Sequence, residues 1–164
     1  MRFSAPALLS IALVLLSAGC TKKKEVRSVS MGEKAEMGSF IYQAIDTSWP
    51  MTIADRTPKE RFFVIRLTIM NSGSSDATIP GFEIVDDAGN SIPESPDGAG
   101  LEKWLGMSRR IRPAATEQAD ILFDAAPKHY RLRVADENDN FMYIDIPLNL
   151  SSEAPVRTRL QEVK

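Results

Sequence analysis

Cysteine and histidine, which often act as nucleophiles, general bases and metal ligands, occur once each in the 164 residues, as Cys20 and His129. A zinc site of four cysteines, or of two cysteines and two histidines, and an internal disulfide all need more of these residues within one chain. The chain has 20 Lys and Arg against 22 Asp and Glu, without the basic excess that is typical of nucleic-acid-binding proteins. The composition therefore excludes these metal sites and an internal disulfide, and it predicts no nucleic-acid partner.

Cys20 follows a segment with the features of a secretory signal. Arg2 is positively charged, residues 7–16 (ALLSIALVLL) are apolar, and residues 17–19 (SAG) are small. An apolar run of this length rises about 15 Å as a helix, half of a hydrocarbon core of roughly 30 Å, so it is too short to span a bilayer. The segment resembles a bacterial lipobox, in which the cysteine sulfur receives diacylglycerol and the chain is cleaved just before it. One position departs from that pattern, because Ser17 stands where a large aliphatic residue is usual.

We therefore predict a signal peptide at residues 1–19 and a lipidated Cys20 that anchors the mature chain to a membrane, with a basic tether over residues 20–30. Two or three acyl chains hold a protein stably on a membrane, whereas a free thiol in an oxidising compartment is a liability. A plain secretory peptide with an incidental cysteine is the alternative. Thr21 is not the aspartate that retains some lipoproteins in the inner membrane, so the outer membrane is favoured if the host has two.

Alternation of apolar and polar residues dominates the mature chain from residue 38 onward, and no long helical stripe competes with it. The strongest strand is predicted at residues 61–71 (RFFVIRLTIMN), whose two largely apolar faces indicate a central strand. Residues 101–111 fit either a short helical turn or an irregular edge. Further strands are predicted at residues 39–46, 82–86, 116–124, 129–135 and 141–148. About six or seven short strands separated by polar turns predict an all-β fold, either a sandwich or a barrel.

Several short motifs also occur in a definite order along the chain. They are residues 31–42 (MGEKAEMGSFIY), 71–73 (NSG), 85–90 (VDDAGN), 112–113 (RP), 121–124 (ILFD) and 130–134 (YRLRV). In this order they resemble a bacterial family of telokin-like lipoprotein domains of unknown function, related to a mycobacterial immunoprotective extracellular antigen. The similarity covers residues 31–146, and it departs at Ala114, where the family often has glycine after the proline.

The resemblance implies an immunoglobulin-like antiparallel β-sandwich of about seven strands, which we assign to residues 31–150, and a location outside the cytoplasm. Residues 151–164 contain few large apolar side chains and are predicted to fray. The family has no agreed catalytic residues, so the resemblance implies none here. We therefore expect no enzyme activity, no cofactor and no metal site.

His129 and two acidic turns are further candidates for chemistry. A catalytic histidine needs a nucleophile and an orienting group. The chain has no G-x-S-x-G elbow, so we expect His129 to be an exposed turn residue. Residues 86–90 (DDAGN) and 136–140 (DENDN) carry oxygens suited to calcium, but neither has the spacing of an EF-hand loop. Because Asp, Asn and Gly also favour tight turns, plain turns are predicted there.

Methionine is comparatively frequent in the mature chain, at Met31, Met37, Met51, Met70, Met107 and Met142. Thioethers are ligands for Cu(I), so a periplasmic copper or small-ligand carrier is the alternative function. Such carriers typically combine methionines with at least two histidines, and this chain has one. Met70 and Met142 fall on predicted strands, where flexible methionine side chains fill gaps in a core.

Two tryptophans lie outside the predicted strands, Trp49 and Trp104, and arginines follow the second one. Tryptophan and arginine are among the residues most enriched at the centres of protein interfaces. Trp104, Arg109 and Arg110 are therefore the predicted interaction patch, suited to an envelope protein or a glycan. In the alternative, Trp104 plugs one end of the sandwich and the arginines are solvated. We predict a non-catalytic interaction module, anchored to a membrane and facing the periplasm or the exterior.

Overall fold

The structure, a computed structural model, describes residues 26–106 and 109–150. These residues form eleven β-strands and one short 3-10 helix (Pro96–Gly100), and no α-helix occurs among them. The strands are β1 (Ser28–Ser30), β2 (Ala35–Met37), β3 (Phe40–Ser48), β4 (Phe62–Asn71), β5 (Ala77–Thr78), β6 (Glu83–Val85), β7 (Ser91–Pro93), β8 (Arg110–Ile111), β9 (Thr116–Asp124), β10 (Tyr130–Ala135) and β11 (Phe141–Ile146). Within the described ranges, no helix is long and apolar enough to cross a bilayer.

The predicted all-β fold is confirmed, but the number of strands is eleven instead of about seven. The additional strands, such as β5 and β8, have two or three residues. A strand of that length contains too few side chains to produce an alternating pattern, so the sequence did not reveal it. Residues 101–106 form turns and irregular backbone, without a helix.

Two main sheets pack face to face. One has the strand order β1-β11-β10-β6-β7, the other has the order β2-β3-β4-β9, and β5 and β8 form a separate pair. Neighbouring strands are antiparallel except β1 and β11, which run parallel. The inner faces of the two main sheets share one hydrophobic core, so the arrangement is a sandwich and not a barrel.

β4 is the central strand that its two apolar faces predict. It pairs with β3 on one side and with β9 along nine registered residues on the other. Its inner side chains, including Ile65 and Leu67, are fully buried in the core between the sheets. On its outer face, Phe62 and Val64 join Leu122 in a second buried cluster, which Ile53 and Leu101 cover. Burial on both faces therefore explains the continuous apolar run.

Aromatic residues hold the core between the sheets. Trp49 stacks on Phe63 with ring centroids 4.0 Å apart. Tyr42 of β3 donates its hydroxyl hydrogen to the carbonyl of Ala135 in the opposite sheet. At the corner where the chain passes from β9 to β10, the Tyr130 hydroxyl donates to the carbonyl of residue 126, four residues upstream. This arrangement matches the tyrosine corner of immunoglobulin-like sandwiches.

The sandwich has two ends, which we call the tether end and the far end. The tether end carries the β2–β3 turn at Gly38 and the β10–β11 turn at residues 136–140. These two turns are in contact, since a Cβ atom placed on Gly38 would lie 2.7 Å from the Cβ of Asp136. The far end carries the β3–β4 loop and the β6–β7 turn. Parallel pairing aligns Ser28 with Tyr143, and this brings the first described residues to the tether end.

Candidate functional site

Arg109, one of the three residues of the predicted interaction patch, is buried. Its Nη2 lies 2.6 Å from Oε1 of Glu94, and both side chains are about 5% exposed. Its Nε donates to the carbonyl of Gly106, and its guanidinium lies 5.4 Å from the ring centroid of Phe82. Burial raises the pKa of Glu94 despite this partner. All of these contacts lie within the protein. In the described structure, Arg109 therefore links Glu94, which follows β7, and Gly106 to Phe82, which precedes β6.

Trp104 and Arg110 occupy different environments. Trp104 is half-buried against the second cluster and lies so close to Gly98 that a Cβ there would be 2.3 Å from the indole. The backbone beside Trp104 covers the edge of β9, because Asp120 donates its N–H to the carbonyl of Lys103. Arg110 is exposed on β8. The structure therefore does not present the three residues on one surface, and a partner for Trp104 and Arg110 stays a prediction.

Cys20 and the signal peptide at residues 1–19 lie outside the described residues, as do Met107 and the tail at residues 151–164. The segment at residues 20–30, predicted as a tether, is described from residue 26. There the structure differs from the prediction, because residues 28–30 form β1 beside β11. This strand is too short to show an alternating pattern, and it forms because it pairs with the distant strand β11.

His129 is partly exposed and lies between two carboxylates, where the sequence predicted a plain exposed turn residue. Its Nδ1 is 2.9 Å from Oδ1 of Asp87, and its Nε2 is 2.8 Å from Oδ1 of Asp145. The hydrogen bond to Asp87, followed by that to Asp145, raises the pKa of His129. A neutral imidazole has one N–H, so the imidazolium is the form that bonds both carboxylates. With both nitrogens engaged, neither is available to accept a proton from a substrate hydroxyl.

The two acidic turns have the same internal geometry. In each, the first aspartate, Asp86 or Asp136, accepts hydrogen bonds from the backbone N–H and the side-chain amide of the asparagine four residues later. These hydrogen bonds hold the pKa of Asp136 below its usual range, and those to Lys128 and the turn asparagine do the same for Asp86. The carboxylates therefore close their own turns. In the ranges that the structure describes, no group of three or more His, Cys, Asp and Glu side chains is placed to hold a metal ion.

A groove of about 450 Å³ lies at the tether end, and the sequence did not predict it. Its apolar lining consists of Val26, Met37, Phe141 and Met142. Its polar lining consists of Arg27, Glu36, Asp139 and Asn140. These residues come from the chain before β1, from β2 and from the β10–β11 hairpin. Because the groove depends on the parallel pairing of β1 with β11, no local sequence signal points to it.

No family model matches the sequence, and no curated protein sequence matches it. Solved structures do resemble the fold. The yjhA protein of Bacillus subtilis matches with a TM-score of 0.56 at 16% identity, over 72% of this chain and 98% of that one. The secreted protein MPT63 of Mycobacterium tuberculosis matches with a TM-score of 0.54 at 12% identity, over 75% of this chain and 99% of that one.

A third structure is that of a putative lipoprotein, ycdA, of Bacillus subtilis, with a TM-score of 0.58 at 10% identity. The match covers 70% of this chain but 38% of ycdA, so this chain corresponds to well under half of that protein. At such identities the likeness concerns the fold and not the activity. The chain has the β-sandwich fold of a secreted mycobacterial protein and of a putative bacterial lipoprotein, which confirms the resemblance to telokin-like domains that the motifs indicated.

Proposed function

We propose that this protein is a lipid-anchored lipoprotein outside the cytoplasm, whose β-sandwich binds another component of the cell envelope and does not catalyse a reaction. The observation that carries the proposal is the sequence of residues 17–20 (SAGC), a lipobox-like segment placed between a signal-like run and the folded domain. Two proteins of similar fold support it, one described as secreted and one as a putative lipoprotein. If the host has two membranes, Thr21 favours the outer one.

The charged residues support a non-catalytic role, because those in the described part of the chain mostly stabilise the fold. Glu94 and Arg109 form a buried pair, and the carboxylate of Asp86 is bound by Lys128. His129 is held between two aspartates. An acid–base or nucleophilic site instead needs a group that is free to react with a substrate.

The anchor is tested by replacing Cys20. We expect wild-type protein and Thr21→Ser to incorporate a labelled fatty acid and to fractionate with membranes. We expect Cys20→Ser to lack the label and either to stay uncleaved or to leave the membrane fraction. Thr21→Ser is the matched control because it changes the neighbouring residue and keeps the thiol. Identical labelling and fractionation of all three proteins would contradict the anchor.

A protein or glycan partner is proposed to contact Arg110 and the exposed part of Trp104. In vivo cross-linking with Arg110→Ala tests this surface, and Arg56→Ala is the control, because Arg56 is also exposed but pairs with Asp97. Loss of a cross-linked species in Arg110→Ala alone supports the patch. The same cross-linked species in both variants would contradict it.

A copper carrier is the second candidate, because Met37 and Met142 both line the groove at the tether end. Titration with Cu(I) tests it. A carrier predicts stoichiometric binding that Met37→Leu/Met142→Leu abolishes and that Met51→Leu, an exposed methionine at the far end, leaves unchanged. Absence of tight binding to the unaltered protein would reject the carrier.

A further inference from the structure

We propose that the tether end of the sandwich rests on the membrane, with the groove beside Phe141 in contact with phospholipid headgroups, while the far end faces away from the bilayer. The inference rests on the proposed anchor at Cys20 and adds an orientation and a lipid contact to it. It identifies the membrane surface as one partner of the domain. The loops of the far end are then accessible to other envelope components.

The length of chain before the groove sets its distance from the membrane. Val26, which lines the groove, is six residues after Cys20. Six residues span at most about 20 Å when fully extended. β4, with ten residues, runs from the far end to the tether end and is about 33 Å long. An anchor at Cys20 therefore holds the groove close to the bilayer and permits the far end to lie well away from it.

Apolar side chains are exposed at the mouth of this groove. Val26 is 40% exposed and Phe141 is 37% exposed. Phe141 is held in place by an edge-to-face contact with Tyr143, at 5.6 Å between centroids, and by the guanidinium of Arg133, at 4.4 Å from its ring centroid. Apolar and aromatic side chains with cationic neighbours favour the boundary between headgroups and acyl chains. The orientation buries these two side chains, which otherwise stay in water.

The charges around the groove are complementary to a zwitterionic headgroup. Asp139 is already paired with Arg133, at 2.6 Å. Arg27 and Glu36, which also line the groove, have no ion pair within the described part of the chain. A guanidinium binds a phosphate well, and a carboxylate accepts hydrogen bonds from a primary ammonium. These two free charges therefore match phosphatidylethanolamine, and the lysines at residues 22–24 add attraction to anionic lipids.

Fluorescence quenching by lipids tests this orientation. The lipidated protein is inserted in vesicles of phosphatidylethanolamine and phosphatidylglycerol that contain a headgroup nitroxide lipid. A dye is attached at Asn138→Cys, in the exposed β10–β11 turn, or at Met51→Cys, at the far end. In the anchored protein the Cys20 sulfur is a thioether, so the new cysteine is the one free thiol. We expect severalfold stronger quenching at position 138 than at position 51.

Variants of the groove test the contact itself. In the Asn138→Cys protein, Phe141→Ser and Arg27→Gln should each reduce the quenching. Ile45→Ser is the matched control, since Ile45 is equally exposed, at 37%, but lies on the outer face of the β2-β3-β4-β9 sheet. It should leave the quenching unchanged. Arg27→Gln keeps the test valid if Phe141→Ser does not fold.

Three results would overturn the inference. Equal quenching at positions 138 and 51 means that the domain tumbles freely, and stronger quenching at position 51 means the reverse orientation. Weak lipid quenching at position 138 together with self-quenching between labelled molecules assigns the groove to a second copy. The mass of the N-terminal peptide, measured first, shows whether Cys20 carries lipid. A missing lipid refutes the proposed function, whereas these quenching results refute the orientation alone.

Discussion

The imidazole of His129 lies 2.9 Å from the carboxylate of Asp87, and this contact ties the corner before β10 to the β6–β7 turn. On its other side the ring lies 2.8 Å from Asp145 on β11. One histidine thus joins three parts of the far end. Because it is the one histidine of the chain, any titration of an imidazole belongs to it.

The pH dependence of stability should follow from this pair of contacts. The pKa of His129 is raised above the ordinary histidine value of about 6.5 by its two carboxylate partners, so folding favours the charged ring. Its stabilisation is complete below about pH 6.5 and is lost as the pH rises through the folded pKa. The groups are partly exposed, so we expect less than about 1 kcal/mol. Urea unfolding across this range measures the effect, and His129→Gln should abolish it.

The assignment of that effect to Asp87 can be checked by NMR titration of the single imidazole. Asp87→Asn should lower the measured pKa of His129 because it removes a carboxylate partner. Asp97→Asn is the control, since Asp97 pairs with Arg56. An unchanged pKa in Asp87→Asn would show that the contact does not form in solution.

Ala114 is expected to be strained, and glycine should relieve that strain. Its φ of 56° lies in the left-handed region, which costs an L-residue roughly 1–2 kcal/mol. Ala114→Gly should stabilise the fold by about 0.5–1 kcal/mol, because the relief exceeds the added freedom of the unfolded chain. Ala115→Gly, at the neighbouring position, should destabilise it. Urea unfolding compares the two, and equal destabilisation would contradict the left-handed turn.

Gly98 should be required for the packing of Trp104. A Cβ at Gly98 would lie 2.3 Å from the indole, so Gly98→Ala must displace the ring. We expect a loss of about 1–3 kcal/mol, as for overpacked sites, and a red shift of tryptophan fluorescence. Gly81→Ala is the matched control, because a Cβ there meets no atom within 4 Å. If both variants keep wild-type stability and spectrum, Trp104 does not pack where the structure places it.

Arg109 and Arg110 are adjacent in sequence but should differ strongly in their effect on stability. Arg109→Met leaves Glu94 buried without its partner and should cost about 3–5 kcal/mol. Arg110→Met, on the surface, should change stability by less than about 0.5 kcal/mol. The double variant Glu94→Leu/Arg109→Met should recover most of the loss, since it removes both charges. Similar losses in the two single variants would contradict the buried pair.

Local patterns were sufficient for several parts of this protein. The two apolar faces of residues 61–71 indicated a central strand, and β4 lies between β3 and β9 with both faces covered. The Asp, Asn and Gly residues of the acidic segments indicated plain turns, and the first aspartate of each turn accepts hydrogen bonds from within the turn. These predictions succeeded because the apolar pattern of one strand and the residue types of one turn are visible within a short stretch of sequence.

Other features depended on contacts between distant segments. The sequence analysis grouped Trp104, Arg109 and Arg110 in one patch. In the structure Arg109 is buried, because Glu94 and Phe82, from other parts of the chain, pack against it. Likewise, His129 acquired two carboxylate partners from a turn and a strand that the sequence did not associate with it. Neither environment has a local signature.

The sequence by itself determined the strand-rich fold, the central strand and the prediction of a lipid anchor at Cys20, because periodicity, turn chemistry and signal motifs are local properties. The tertiary structure alone decided which arginine is buried and where the groove forms. It also decided that the chain enters the sandwich beside Phe141, through the parallel pairing of β1 with β11. The physical reason is that strand pairing and side-chain burial depend on which distant segments meet. A three-residue strand contains too little information to specify its own neighbour.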